Sequence, residues 1–173
     1  MEPDTVQKEP PSKIRGRALL QELSNGQACN TSMCMGLIIS GVDVNETTRR
    51  GLTALALAVK NNHTEIAKML LSRGANPNVR CNDLTAATVL IRAVQKGNLD
   101  IVKALLDHGA SIELDNKIGI NALKAAKDSK RKDILKLVEE TKTRRDIERA
   151  DANGTPKKRK IHRRLRAGLI IAL

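Results

Sequence analysis

The sequence predicts an all-α fold, a solenoid of paired antiparallel helices joined by hairpin-like loops and flanked by flexible tails. Three observations predict it. A segment recurs at an offset of 33 to 35 residues, Gly74 and Gly109 fall just past second helices, and the chain contains no Phe, Tyr or Trp. A core without aromatic rings must be filled by Leu, Ile, Val, Ala and Met. A stack of many thin, repeated layers loses least from that composition.

The recurrence is direct. The run from Ala58-Val59 to Gly74-Ala75 aligns with Ala93-Val94 to Gly109-Ala110 at an offset of 35, with Ala, Val, Ile, Lys, Leu, Leu, Gly and Ala in register. A third copy opens at Asn121-Ala122-Leu123-Lys124-Ala125-Ala126, offset by 33, and continues to Asp133-Ile134-Leu135-Lys136-Leu137-Val138. A degenerate copy precedes them, since Gly41-Val42-Asp43-Val44-Asn45 matches Gly74-Ala75-Asn76-Pro77-Asn78. The chain divides accordingly into a disordered tail over 1–15, a repeat domain over 16–140 and a basic tail over 141–173. Within the domain a degenerate cap repeat (16–45) is followed by repeats at 46–80, 81–115 and 116–140.

Each unit has its own local logic. Thr53 supplies an N-cap for a short helix beginning Ala54-Leu55-Ala56, and the small Ala side chains let that helix press on its neighbours. A polar turn, Asn61-Asn62-His63 or Lys96-Gly97-Asn98, reverses the chain. The second helix sets Ile66, Met69 and Leu70 on one face at spacings of three and four. Gly74 and Gly109 then stand where a left-handed terminating residue is wanted. The cap is expected as a helix pair over Arg17–Leu23 and roughly Ser32–Ser40, and Arg131–Glu140 closes the other end.

These units resemble ankyrin repeats. Gly51-Leu52-Thr53-Ala54-Leu55 is similar to the opening motif of that family, and Ile101-Val102-Lys103-Ala104-Leu105-Leu106-Asp107-His108-Gly109-Ala110 to its second helix and exit. A tetratricopeptide array is the rival, but it lacks the Gly-Ala-x-x-Asn exit loops. The family's usual Pro and His are replaced by Ala54 and Ala56, by Val89 and Ile91, and by Ala122 and Lys124. The hydrogen bonds of that His are lost, which implies a less rigid array.

Charge is unevenly spread. Residues 141–173 hold eleven Lys/Arg against three Asp/Glu, a net of +8 out of +12 for the chain. Arg144-Arg145, eleven further residues, then Lys157-Lys158-Arg159-Lys160 have the form of a bipartite nuclear-import signal, with Pro156 keeping the second cluster extended. Three cysteines (Cys29, Cys34, Cys81) and a polar, proline-bearing start without a secretory pattern point to a reduced intracellular compartment. Apolar runs such as Ala167–Leu173 fall far short of the roughly 18 residues of a membrane span, so no transmembrane segment is expected.

No catalytic constellation stands out. His63 falls in an inter-helix turn, His108 at a helix exit and His162 in the basic tail, while Cys81 falls in an exposed hairpin. Cys29 and Cys34 lack the further ligands a zinc site requires, and neither a Gly-rich phosphate loop nor a nucleophile elbow is present. The chain is therefore expected to be no enzyme and to need no cofactor or metal.

What the resemblance implies instead is a concave partner-binding face of hairpin tips and first-helix positions. The matching residues are Arg49, Arg50, Leu52, Lys60 and Asn61, then Leu84, Thr85, Gln95 and Lys96, then Lys117, Ile118, Ile120 and Asp128. This set mixes basic residues with exposed aliphatic ones, which suits a protein partner with an acidic or mixed, partly apolar surface. The expectation is a monomeric adaptor in the nucleus, read by an import receptor through its tail and, by family analogy, regulating transcription. The alternatives are a tail that binds nucleic acid while the repeats recruit cargo, and a cytoplasmic or peripheral-membrane scaffold.

Overall fold

The computed structural model describes residues 11–152, and Lys157–Lys160 lie outside them. Eight α-helices follow one another among these residues: α1 (Pro11–Ser24), α2 (Thr31–Ile39), α3 (Ala54–Lys60), α4 (Thr64–Ser72), α5 (Val89–Lys96), α6 (Leu99–Asp107), α7 (Ala122–Asp128) and α8 (Lys132–Ala152). Consecutive helices pair as hairpins. The odd-numbered helices then stack into an inner row and the even-numbered into an outer row. Among the described residues there is no β-strand, only isolated bridges at Thr47–Thr53 and Arg80–Thr88.

The starts and stops follow from single residues. Thr53 Oγ1 accepts from Ala56 N at 3.2 Å, Thr88 Oγ1 from Ile91 N at 3.3 Å, and Asn98 and Asn121 cap α6 and α7 in the same way. Gly74 and Gly109 adopt φ of +83° and +84° and end α4 and α6 as expected, because a Cβ there would be strained. The position that reverses each hairpin is also left-handed, yet it is filled by Asn62, Gly97 and Lys130 in successive repeats, with φ of 64°, 73° and 57°.

The core is one continuous aliphatic column. Leu19 and Leu23 of α1, Ile38 of α2, Leu55, Ile66, Leu70, Leu90, Ile91, Ile101, Leu105 and Ile134 are almost wholly buried, with Ala54, Ala56, Ala58 and Ala93 filling the narrow gaps between helices. Each such Leu or Ile contributes about 1.5–3 kcal/mol by leaving water. No single repeat can gain this alone, since each apolar face is covered by the next repeat.

Polar side chains stitch repeat to repeat. Asn45 Oδ1 accepts from Asn76 N at 2.9 Å, and Asn78 Oδ1, one repeat on, accepts from Ser111 N at 2.7 Å. Asn98 Nδ2 donates to Asn62 Oδ1 and Thr64 Oγ1. Inter-repeat bonds are thus made without the His that the family usually provides.

Two expected boundaries move. Residues 11–15 are helical rather than part of a tail: Pro11 sits at the first helical position, where its missing N–H costs nothing. The basic tail does not begin at 141 either, because α8 runs on to Ala152. Its continuation is held by polar contacts. Arg145 donates from Nη1 to Ala110 O and from Nη2 to Leu106 O, both at 2.6 Å, and Arg149 lies 3.6 Å from Glu113.

Candidate partner-binding face

Three loops project as fingers beside the inner helices. In the first, Thr48 N donates to Leu52 O and Gly51 N to Thr48 O, both at 2.8 Å. In the second, Cys81 N donates to Ala87 O at 2.7 Å, and Asp83 Oδ1 accepts from both Thr85 N and Thr85 Oγ1. In the third, buried Asn116 turns the chain by accepting from Ile118 N and Ile120 N at 3.0 and 2.9 Å. The fingers are tied to one another. Asn82 Nδ2 donates to Arg50 O, Lys117 N to Thr85 O at 2.9 Å, and Arg80 Nη1 to Asp115 O at 2.9 Å.

Two hollows lie along this face. One, of about 440 Å³, is lined by Ser24, Thr48, Arg49, Arg50, Leu57 and their neighbours Leu52, Lys60 and Asn61. The other, of about 350 Å³, shares Leu52, Lys60 and Asn61 and adds Ala56, Cys81, Asn82, Asp83, Arg92 and Lys96. Ala56 and Cys81 are buried and Leu52 half-buried, so the floor is apolar, while exposed Arg49, Arg50, Lys60 and Lys96 make the rim cationic.

The expected residues therefore divide. Arg49, Arg50, Leu52, Lys60, Asn61 and Lys96 come together in these hollows. Leu84 and Ile118 stand at the tips of the second and third fingers, 97% and 63% exposed, and Lys117, Gln95 and Asp128 are also exposed. Thr85 and Ile120 are half-buried and serve the fingers' own structure. Asn61 is partly committed as well, because its Nδ2 donates to Leu23 O at 2.7 Å.

Several residues of the face were missed in the sequence. Arg92 forms an ion pair with Asp83 across the second hollow. The signal for it was present: the same repeat position is apolar Leu57 before and Ala125 after. Cys81 departs from expectation, since it is buried at 7% exposure rather than set in an exposed hairpin. Its backbone pairing with Ala87 turns the thiol toward α5. Burial pushes the Cys81 thiol up, with Arg92 and Lys60 pulling the other way. Arg144 and Arg145 lie within α8, and Arg145 is half-buried on the carbonyls of the preceding repeat. Both stand on a helix in this structure. His63 Nε2 lies 2.9 Å from Gly26 O and His108 Nδ1 2.8 Å from Ala104 O, both contacts internal to the stack.

A family profile described as ankyrin repeats (3 copies) matches residues 23–116 and 78–151. The chain belongs to the ankyrin-repeat family. Relatives include the BRCA1-associated RING domain protein 1 of Caenorhabditis elegans, 37% identical over 62% of this chain and 15% of the relative. An ankyrin repeat-containing protein of Treponema pallidum is 34% identical over 55% of this chain and 32% of its own length. A glycerophosphocholine phosphodiesterase of Schizosaccharomyces pombe is 39% identical over 52% of this chain and only 8% of its own. The chain thus spans a third or less of each of these relatives, and the likeness is that of their ankyrin repeats. Such repeats generally mediate protein–protein interaction and are typically non-enzymatic modules. No helix among the described residues is long and apolar enough to cross a membrane.

Proposed function

We propose that this ankyrin domain holds an acidic segment of another protein, one that also carries aliphatic side chains, along its concave face. The observation that supports this reading is the pair of adjoining hollows, whose floor of Leu52, Ala56 and Leu57 is rimmed by Arg49, Arg50, Lys60 and Lys96. An apolar floor removes surface from water, and a cationic rim selects the sign of the partner and speeds encounter. Leu84 and Ile118 at the neighbouring fingertips extend the aliphatic part of the contact.

The test is affinity capture with the intact chain beside the double variant Lys60→Glu/Lys96→Glu and, as control, Lys103→Glu on outer helix α6. Recovery of acidic partners should fall at least about tenfold with the double variant and stay level with the control. Equal recovery by all three chains would overturn the reading.

Nuclear delivery is the second part of the proposal. It rests on Arg144 and Arg145 together with the four residues Lys157-Lys158-Arg159-Lys160, and a role in transcription rests on family analogy. A bulky fluorescent fusion should lose nuclear accumulation when those four residues become Ala; unchanged accumulation would remove this part.

A further inference from the structure

Helix α2 begins in an unusual way. Its N-cap is Asn30, whose Oδ1 accepts from Met33 N at 3.0 Å. The residue before an N-cap and the fourth residue of the helix commonly pack on each other as an apolar staple that fixes how the chain enters the helix. Here those two positions are Cys29 and Cys34, and their Sγ atoms are 3.3 Å apart. A disulfide bond is about 2.05 Å long, so about an ångström of approach separates two thiols from a covalent staple. Both cysteines are free thiols in this structure.

We propose that Cys29 and Cys34 form a reversible disulfide by exchange with a low-molecular-weight disulfide such as oxidised glutathione, making the cap of the solenoid a redox-modified site. The order of attack follows from exposure. Cys29 is half-buried and accessible from solvent, whereas Cys34 is wholly enclosed. Burial, reinforced by the adjacent Cys29, pushes the Cys34 thiol up to about 12, so it is a poor initiating nucleophile. The Cys29 thiolate attacks one sulfur of glutathione disulfide, forms a mixed disulfide and releases one glutathione thiolate. Cys34 then attacks Cys29 Sγ and expels the second glutathione thiolate, which takes up the proton that Cys34 gives away. The two protein thiols are oxidised, and one glutathione disulfide is reduced to two glutathione thiols.

The position gives the bond something to hold. The turn that leads from α1 into Cys29 is the seam between the cap and the next repeat: Leu23 O receives Asn61 Nδ2, and Gly26 O lies against His63 Nε2. Pinning Cys29 to α2 anchors the far end of that seam, one layer from the hollow lined by Ser24 and Asn61.

The intact protein is incubated with oxidised glutathione, quenched in acid, denatured and alkylated, and its peptides are mapped by mass. Two of the three thiols should be lost, with the Cys29 and Cys34 peptides joined and Cys81 alkylated, and reduced glutathione should restore all three. The oxidised protein should also melt at a higher temperature than the reduced one. Three alkylated thiols, a stable glutathione adduct on Cys29, or a linkage through Cys81 or between chains would each overturn the proposal. In Cys34→Ala the mixed disulfide should accumulate on Cys29. In Cys29→Ala, which alters only a half-buried position and guards against failure of the first variant to fold, Cys34 should stay unreacted; ready glutathionylation of Cys34 there would overturn the assigned order.

Discussion

The two ends of the solenoid solve the same problem by different means. An end repeat has a neighbour on one side only, so something must cover the last apolar face and satisfy the last loop. At the N-terminal end the cover is apolar: Leu19, Leu20 and Leu23 of α1 and Cys34 and Ile38 of α2 pack onto α3 and α4. At the C-terminal end α8 buries Ile134 and Val138, and then polar groups take over. Arg145 occupies the carbonyls of Leu106 and Ala110, and Glu113, which stands where Asn45 and Asn78 stitch the earlier exit loops, pairs with Arg149. A covering apolar helix closes one end, and a guanidinium set on the carbonyls of the preceding repeat closes the other.

Breaking each closure should therefore give effects of different size. The largest is expected from Leu23→Ala, which empties a fully enclosed site at the cap and should cost about 2–5 kcal/mol in urea-unfolding stability. A cost near zero would mean that the cap contributes little to the stack. Next comes Arg145→Leu, which removes two charge-assisted bonds to carbonyl groups at the end of α6 and should cost about 1.5–3 kcal/mol. Amide exchange should meanwhile quicken in α8 beyond Thr141 more than in α1; uniform quickening would show that Arg145 is not a local closure. The smallest effect concerns the first turn of α8. Arg131, through a hydrogen bond at 2.8 Å, and the N–H of Ile134 hold Asp133 at a pKa of about 2. A depressed carboxyl stabilises the fold above its unfolded pKa and loses that contribution as pH falls toward about 2. Fraying of α8 should begin in that acid window in the parent chain, and Asp133→Asn should remove the pH step.

The contrast also explains what the sequence made legible. The middle repeats could be read because Gly74 and Gly109 and the Ile-Leu-Leu spacing mark a helix whose face is covered by carbon. The far half of α8 could not, because its contacts come from Thr141, Arg145 and Arg149, which carry no hydrophobic period. The start of α1 falls inside the expected tail, although its Pro11 is at home in a first turn. At the binding face, Arg49, Arg50, Leu52, Lys60, Asn61 and Lys96 were identified through family resemblance and converge on two hollows. Arg92 escaped because a repeat pattern of apolar positions does not name the partner of a cation that interrupts it, here Asp83 of the preceding loop.

The aliphatic column has a further consequence, for light rather than for heat. With no Trp or Tyr in the chain, the folded and unfolded states are equally dark in the near ultraviolet and without intrinsic fluorescence. A single Trp introduced at the exposed Leu84 fingertip would be the protein's one emitter and would report solely on that finger. Nothing native would then obscure the weak near-ultraviolet band of a Cys29–Cys34 disulfide, so the cap's redox state could be followed by absorbance in the unmodified protein.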